Sequence, residues 1–236
     1  MTQAKAHDPI SSASLDHTHP AAPTSLSRNE IEMLCLKAAR GAGMSWGLAE
    51  EAGFAAGWLA ANGIDGAAAL LAQLQDFAPC GIAVRDRNWS ATNDAALWPV
   101  LLGATLDDHA SLAAGPWYAP ITIRAVGQPI LLVPFLARAA KSCAKPLALT
   151  WPGGSLVILA SGDVDAAAMT ALSRFAVTTL TLSPTSDAAA CSAPARAMAS
   201  VSDATLENLN ILALRTTVPT SDASRGGAGA AASDND

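Results

Sequence analysis

The sequence is poor in charge. Only 14% of its 236 residues are Asp, Glu, Lys or Arg, against about 25% in an average soluble domain, and just four are lysines. The net charge is −6, and aromatic residues make up 5% of the chain. Binding to nucleic acid needs cations to neutralise phosphates and aromatic rings to stack on bases. We therefore expect no nucleic-acid partner.

Long hydrophobic runs are also missing, although 51% of the residues are hydrophobic. The run at 125–137 has 13 residues without a charge, whereas a membrane-spanning helix needs about 20. The longer run at 146–162 is broken by Pro152, Gly153 and Gly154, which are turn residues. Residues 1–24 lack the apolar centre of a secretory signal. These observations predict no membrane partner and a cytoplasmic location.

Cysteine and histidine are too few and too scattered for a familiar metal site. The four cysteines stand singly, with no C-x-x-C pair, so zinc and dithiol motifs are not supported. Three of the four histidines fall in residues 1–24, which leaves His109 alone in the predicted domain. No ligand spacing argues for a hard metal either. The sequence predicts no metal site and identifies no cofactor.

Helical patterns fill the first half of the chain, in which many of the 54 alanines lie. Ser27 and Glu30 have the spacing of a capping box, and the helix that they open ends at Gly41. Further helices are predicted from Leu48 to Ala61, from an Asp65 cap to residue 77, and after residue 93. We expect residues 1–24 and 219–236 to be tails and residues 25–218 to form a single domain.

Strand patterns prevail in the second half. Ile121 and Ile123 alternate with Thr122 and Arg124. The apolar run at 130–137 has the length of a strand, and its Pro134 indicates an edge or a bulge. A hairpin is predicted from 147–150 and 156–160, and another strand at 177–182. Two later helices, one capped by Asp163 and one by Ser202 or Asp203, are expected to cover the sheet. Segregation of this kind predicts an α+β fold with a mainly antiparallel or mixed sheet.

A glycine-rich segment between the first two helices is the first candidate site. Gly41, Gly43, Ser45 and Trp46 precede the helix predicted from Leu48. Free N–H groups at a helix N-terminus bind carboxylates and phosphates, so these four residues are candidate ligands of an anion. The alternative is a tight turn with Trp46 in the core. Both interpretations stay open at this stage.

The same segment also spells G-x-S-x-G, the string of serine hydrolases. That mechanism needs a strand before the serine, whereas a helix precedes Ser45, so we do not favour a nucleophilic serine. Glu50, Glu51 and His109 are the candidate acid/base residues. Consecutive residues of a helix point about 100° apart, so we expect one glutamate to face a site and the other to face solvent.

Scarce cations mark a second candidate segment near the C-terminus. Arg215 and Arg225 bracket hydroxyl residues that include Ser224. Arginine beside hydroxyl groups suits the capture of a carboxylate or phosphate. The alternative is that Arg215 supports the negative end of its own helix. Arg215, Ser224 and Arg225 are therefore candidate ligand-binding residues.

These two segments carry a family resemblance. The stretch ARGAGMSWGLAEEAG at 39–53, together with LRTTVP at 214–219, SDASR at 221–225 and the terminal DND, resembles an uncharacterised, mostly proteobacterial family known as a domain of unknown function. The resemblance extends over residues 25–236. It implies no activity, because none is attached to the family.

Two classes of function follow from the sequence. The first is binding or conversion of a small anionic metabolite between the segment at 41–47 and the segment at 215–225. The second is a non-catalytic interaction protein that forms a homo-oligomer or joins a partner enzyme, since an alanine-rich, charge-poor chain can bury a broad surface. A concave polar site would favour the first class.

Overall fold

A computed structural model describes residues 26–75, 78–93, 95–113, 115–186 and 197–216. These residues form helices followed by a mixed sheet with further helices, which confirms the α+β class. The helices are α1 (Arg28–Gly41), α2 (Trp46–Ala61), α3 (Gly66–Gln75), α4 (Pro99–Asp108), a 3₁₀ helix (Pro129–Leu132), α5 (Val133–Cys143), α6 (Ala166–Leu172) and α7 (Asp203–Leu214). The strands are β1 (Ile82–Arg85), β2 (Asn88–Ala91), β3 (Ile121–Gly127), β4 (Leu147–Trp151), β5 (Gly154–Ile158) and β6 (Val177–Pro184).

The start of α1 is fixed as the sequence predicts. The Glu30 N–H donates to the Ser27 hydroxyl, and the Ser27 N–H donates to the Glu30 carboxylate at 2.7 Å. This reciprocal pair satisfies two backbone groups that a helix end leaves free. The capping box is confirmed.

Small residues let α1 and α2 pack closely. A Cβ atom placed on Gly53 would lie 2.6 Å from the Glu32 carbonyl oxygen, and one on Gly57 would overlap the Glu32 side chain. Ala52, Ala55 and other alanines of α2 are fully buried. The alanine-rich composition therefore builds a helical layer in which backbones approach each other.

The six strands form one sheet in the order β1-β2-β3-β6-β4-β5. The β2–β3 pair is parallel and the other neighbouring pairs are antiparallel. The predicted hairpin is present as β4 and β5. β2 (Asn88–Ala91) is not among the strands predicted from the sequence.

The two faces of the sheet differ in burial. One face carries buried apolar side chains, among them Ile121, Ile123, Leu149 and Leu180, which pack toward the helices. The residues that alternate with them are half-buried or exposed, and we call this surface the open face. Its side chains are short or polar: Asn88, Ser90, Thr122, Arg124, Thr150, Ser155 and Thr181.

In the second half of the chain, one predicted strand and one predicted helix cap are wrong. The apolar run at 130–137 is not a strand: it forms the end of the 3₁₀ helix and the start of α5. Pro134 lies in the first turn of α5, where its missing N–H costs no hydrogen bond. Asp163 does not cap α6. Asp165 does, through a 2.8 Å hydrogen bond from the Ala168 N–H.

The two helices expected over the sheet take different positions. α6 packs on β5, whereas α7 packs mainly against α1 and α3. The N-terminal end of α7 follows the prediction, since Ser202 is its cap and accepts from the Thr205 N–H. α7 therefore completes the helical layer and brings its C-terminal end to the C-terminal end of α1.

Candidate functional site

The turn between α1 and α2 holds the first group of predicted site residues. Gly43 has a φ of +103°, a left-handed conformation that glycine adopts without strain. Met44 is buried, whereas Gly43, Ser45 and Trp46 are exposed. The interpretation that placed Trp46 in the core is wrong, because its side chain is 64% exposed. The Arg40 guanidinium lies over its ring, 4.7 Å from the centroid.

The start of α2 also differs from the prediction. The helix begins at Trp46 rather than Leu48, so Glu50 and Glu51 lie beyond its first turn. Ser45 is the N-cap, but its hydroxyl makes no capping hydrogen bond. A helix, not a strand, leads into the turn, which is not the strand–turn–helix arrangement of a serine hydrolase.

The helix that leads into the second predicted segment touches the first segment at one point. A Cβ atom on Gly41 would lie 1.7 Å from the Leu212 carbonyl oxygen, so the backbones of α1 and α7 touch there. Arg215 follows as the exposed C-cap of α7. Ser224 and Arg225 lie outside the described residues. The anion site shared by these segments therefore stays a prediction.

His109 and the two glutamates have separate surroundings. His109 caps the C-terminal end of α4: its Nδ1 lies 2.7 Å from the Thr105 carbonyl oxygen, and its ring meets Trp89 edge to face. Glu50 is exposed, while Glu51 is half-buried against α5. One glutamate therefore packs against the protein and the other lies in solvent, while the expectation that one of them faces a ligand site stays a prediction.

Glu51 belongs to an ion-pair cluster centred on Arg138 of α5. The Arg138 guanidinium donates from Nη1 and Nη2 to the two Glu51 oxygens at 3.0 and 3.2 Å. Its Nε donates to Asp107 of α4 at 2.9 Å. The rings of Phe54 and Phe135 lie 4.8 and 5.4 Å from the guanidinium carbon. The cluster ties α2, α4 and α5 together.

The positive charge of Arg138 is balanced by the carboxylates of the same cluster. Partial burial lowers the pKa of Arg138, but the hydrogen bonds and charges of Glu51 and Asp107 outweigh it and raise the pKa above its ordinary value. Two carboxylates surround one guanidinium, so the cluster carries an excess of negative charge. This negative excess favours a structural role for the cluster, which we call the clamp, over the binding of an anion.

A cleft of about 340 Å³ lies beside the clamp, between α1, α2, α5 and the loop before α6. Its cations are Arg28, Arg138 and Lys141, and its apolar wall includes Phe54 and Trp58. Arg28 is paired with Glu32 at 2.7 Å, and Arg138 is paired as described above. Positive and negative groups nearly cancel, so electrostatics gives this cleft no preference for anions.

A more polar pocket of about 550 Å³ lies on the open face, across β1, β2 and β3. Its lining includes Arg85, Asn88, Ser90 and Arg124, and we call it the sheet pocket. The strand register explains why these side chains share one face. Arg85 is opposite Asn88, Asn88 is opposite Thr122, and Arg124 follows Thr122 by two residues.

The two arginines of the sheet pocket are close enough to act on one ligand. Two strand spacings and two residue rises separate the Cα atoms of Arg85 and Arg124, which gives about 12 Å. Extended arginine side chains can close that span. Within the described part of the chain, neither guanidinium lies within ion-pair distance of a carboxylate. Their donors are therefore available to an external anion.

None of the residues that we selected from the sequence lines the sheet pocket. One signal was present: the alternation of Ile121 and Ile123 with Thr122 and Arg124 predicts a strand with one polar face. Only the pairing of β2 with β3 shows that Arg85 and Asn88 lie on the same face of the sheet as Arg124. No local pattern reveals a pairing between segments about 35 residues apart.

Neither a metal site nor a membrane span emerges from the described ranges. No group of three or more His, Cys, Asp and Glu side chains is arranged to hold a metal ion. No described helix combines the length and the apolar character that crossing a bilayer demands.

Comparison with known proteins gives one partial match. Residues 26–97 match the model of a family described as a protein of unknown function (DUF3726). This segment resembles that family. It contains α1, α2, α3, β1 and β2, and so includes Arg85, Asn88 and Ser90 but not Arg124. No curated protein and no solved structure matches the chain. The match supports an uncharacterised family and brings no activity with it.

Proposed function

We propose that this protein binds a small anionic metabolite and that the sheet pocket receives its phosphate or carboxylate group. The observation that carries the proposal is the presence of Arg85 and Arg124, unpaired with carboxylates in the described structure, on one concave surface. Arginine presents paired donors that fit the oxygens of these anions. The pocket thus combines the donors that the ligand requires.

The neighbouring side chains favour a polar ligand. Asn88 supplies an amide and Ser90 a hydroxyl, while Ala83 and Ala91 leave space between them. Asp86, in the turn after β1, is the acidic group among the described lining residues. A metabolite that bears both a phosphate and hydroxyl groups would use all of these donors and acceptors.

A cytoplasmic location is part of the proposal. It is supported by Cys35, Cys80 and Cys143, which are free thiols. Free thiols are the usual state in a reducing compartment.

A thermal-shift screen against phosphate and carboxylate metabolites tests the proposal. A ligand at about 100 times its Kd should raise the melting temperature by about 5 to 10 °C, because it binds only the folded state. Arg85→Ala and Arg124→Ala should remove that rise, and Arg174→Ala, away from the pocket, should keep it. If no anion raises the melting temperature, or if both pocket variants respond as the wild type does, the proposal fails.

Arg215→Ala distinguishes the sheet pocket from the site predicted by sequence. If an anion binds at the meeting point of α1 and α7, the rise in melting temperature should disappear in Arg215→Ala and persist in the Arg85 and Arg124 variants. That result would support an anionic ligand but place its binding site at α1 and α7 instead of the sheet pocket.

Assembly is the second candidate function, favoured by exposed apolar side chains. Trp46, Ile211 and Leu214 are each more than half exposed, at the N-terminal end of α2 and the C-terminal half of α7. Exposed groups of this size mark association surfaces when they are contiguous. Sedimentation velocity of the full chain tests this function: concentration-dependent association that Leu214→Ser reduces would support it, and a monomer at every concentration would exclude self-association.

A further inference from the structure

A separate cavity of about 320 Å³ lies between α3, the segment before α4, the end of β3 and the start of β6. Five of its described lining residues are alanines, and no described lining residue is ionisable. It shares no lining residue with the sheet pocket. The small alanine side chains leave open a volume that larger residues would fill.

One wall of this cavity carries a hydrogen-bond acceptor without a partner. Gln73 of α3 is only 7% exposed, and its side-chain oxygen Oε1 is buried with no hydrogen bond. Among the described residues, no other buried side-chain oxygen or nitrogen lacks a partner. Buried polar atoms are almost always hydrogen-bonded, so an exception needs an explanation.

Gly127 lies close to this oxygen. A Cβ atom on Gly127 would lie 3.2 Å from Gln73 Oε1, closer than side chains ordinarily approach. The φ of Gly127 is not in the left-handed region, so the backbone conformation at position 127 does not require a glycine. The missing side chain avoids a tight contact with the unpaired oxygen.

The backbone at this edge of the cavity is held in an uncommon conformation. Ala125 and Gln128, on either side of Gly127, have φ values of +50° and +41°, which side-chain-bearing residues rarely adopt. Short hydrogen bonds hold them there: Leu97 N–H donates to the Ala125 oxygen, and Gln128 N–H to the Ala176 oxygen, both at 2.7 Å. Such conformations persist where the surrounding structure imposes them, often beside a binding site.

We propose that this cavity binds a small uncharged molecule whose N–H or O–H group donates a hydrogen bond to Gln73 Oε1. The described lining offers no charged group to pair with an ion, and burying an unpaired charge is costly. Trp98 and the alanines supply an apolar surface for the rest of the molecule. A flat heterocycle with one N–H donor has the required chemistry.

A matched pair of probes tests the hydrogen bond. 2-Pyridone carries an N–H donor, and N-methyl-2-pyridone is the same ring without it. Titrations of the full chain, followed by protein NMR, should give about tenfold tighter binding of 2-pyridone, the effect of one hydrogen bond. A single ordered water that satisfies Oε1 instead would leave both probes bound equally or not at all, and either result overturns the proposal.

Two variants locate the effect. Gln73→Met removes the acceptor with little change in length and should abolish the preference for 2-pyridone, while Arg85→Ala, outside the cavity, should retain it. Gly127→Ala adds a methyl group beside Oε1 and should weaken the binding of 2-pyridone. It serves as a second test if the Gln73 variant does not fold. A tenfold preference that survives both substitutions would overturn the proposal.

Discussion

The Glu51 carboxylate accepts two parallel hydrogen bonds from the Arg138 guanidinium, at 3.0 and 3.2 Å. This contact joins α2 to α5 across 87 residues of sequence, and Asp107 extends it to α4. A residue selected from the sequence as a candidate acid/base therefore helps to hold three helices in place. Its catalytic role stays a prediction, while its structural role can be tested by substitution.

Loss of Arg138 should destabilise the fold. Arg138→Ala leaves two half-buried carboxylates without their cation and removes contacts with Phe54 and Phe135. Because about a third of each charged side chain is exposed, solvent screens the pair, and we expect a loss of about 1 to 2 kcal/mol. Urea denaturation of the full chain measures it.

A double-mutant cycle isolates the contribution of the Glu51–Arg138 pair. Glu51→Gln, Arg138→Met and the double variant should give a coupling energy of about 0.5 to 1 kcal/mol. Additive effects of the two substitutions would contradict the clamp.

The contact of Gly41 with α7 predicts a large effect from a single methyl group. Gly41→Ala would place a Cβ atom 1.7 Å from the Leu212 carbonyl oxygen, and backbone cannot move aside cheaply. We expect a loss of at least about 2 kcal/mol in unfolding free energy. Gly47→Ala is the matched control, since no atom lies within 4 Å of its Cβ position. It should not lower the unfolding free energy, because alanine is the better helix former. Equal effects would refute the close approach of α1 and α7.

The two serine caps should differ in strength. Ser27 forms a reciprocal capping box, whereas Ser45 makes no side-chain capping bond. Ser27→Ala should therefore cost about 1 kcal/mol, and Ser45→Ala much less. Thermal unfolding of both variants measures the difference. A larger cost at Ser45 would show that its hydroxyl has a partner in solution.

Cys35 should make stability depend on alkaline pH. Burial, with a smaller effect of the Asp65 charge, raises the pKa of this thiol from 9.0 to about 12. Below pH 9 the thiol is protonated in both states, so its contribution is fully present. Between pH 9 and 12 the unfolded state ionises first, and the contribution is lost as pH rises.

Comparison with Cys35→Ala measures this effect. The difference in unfolding free energy between wild type and variant should shrink as the pH rises through that range, while Cys80 and Cys143 are common to both proteins. A difference that does not change with pH would contradict the burial of the thiol.

Local signals predicted the ends of some elements better than they predicted the type of a wholly apolar segment. The capping box at Ser27, the Ser202 cap and the turn at Pro152–Gly154 are read from a few adjacent residues, and each is present. The run at 130–137 was assigned to a strand because an apolar run buried on all sides has no periodicity that separates helix from strand. The structure resolves the ambiguity by burying that segment as the 3₁₀ helix and α5.

The location of the candidate site could not be predicted from the sequence. The scarce cations that we select from the sequence are Arg215 and Arg225, whereas Arg85 and Arg124 come together through strand pairing that no short motif encodes. The sequence does not show which of the two consecutive glutamates engages the protein; in the structure it is Glu51. Its partner Arg138, 87 residues away, is revealed only by helix packing.

Mapping the residues that respond to an anion tests whether the sheet pocket binds it. NMR titration of the full chain with inorganic phosphate and pyrophosphate would report the backbone amides that respond. We predict saturable changes at Asn88, Ser90 and Arg124, and their loss in Arg85→Ala. Changes confined to the turn at 43–46 and to Arg215, or no saturable change at any amide, would contradict binding at the sheet pocket.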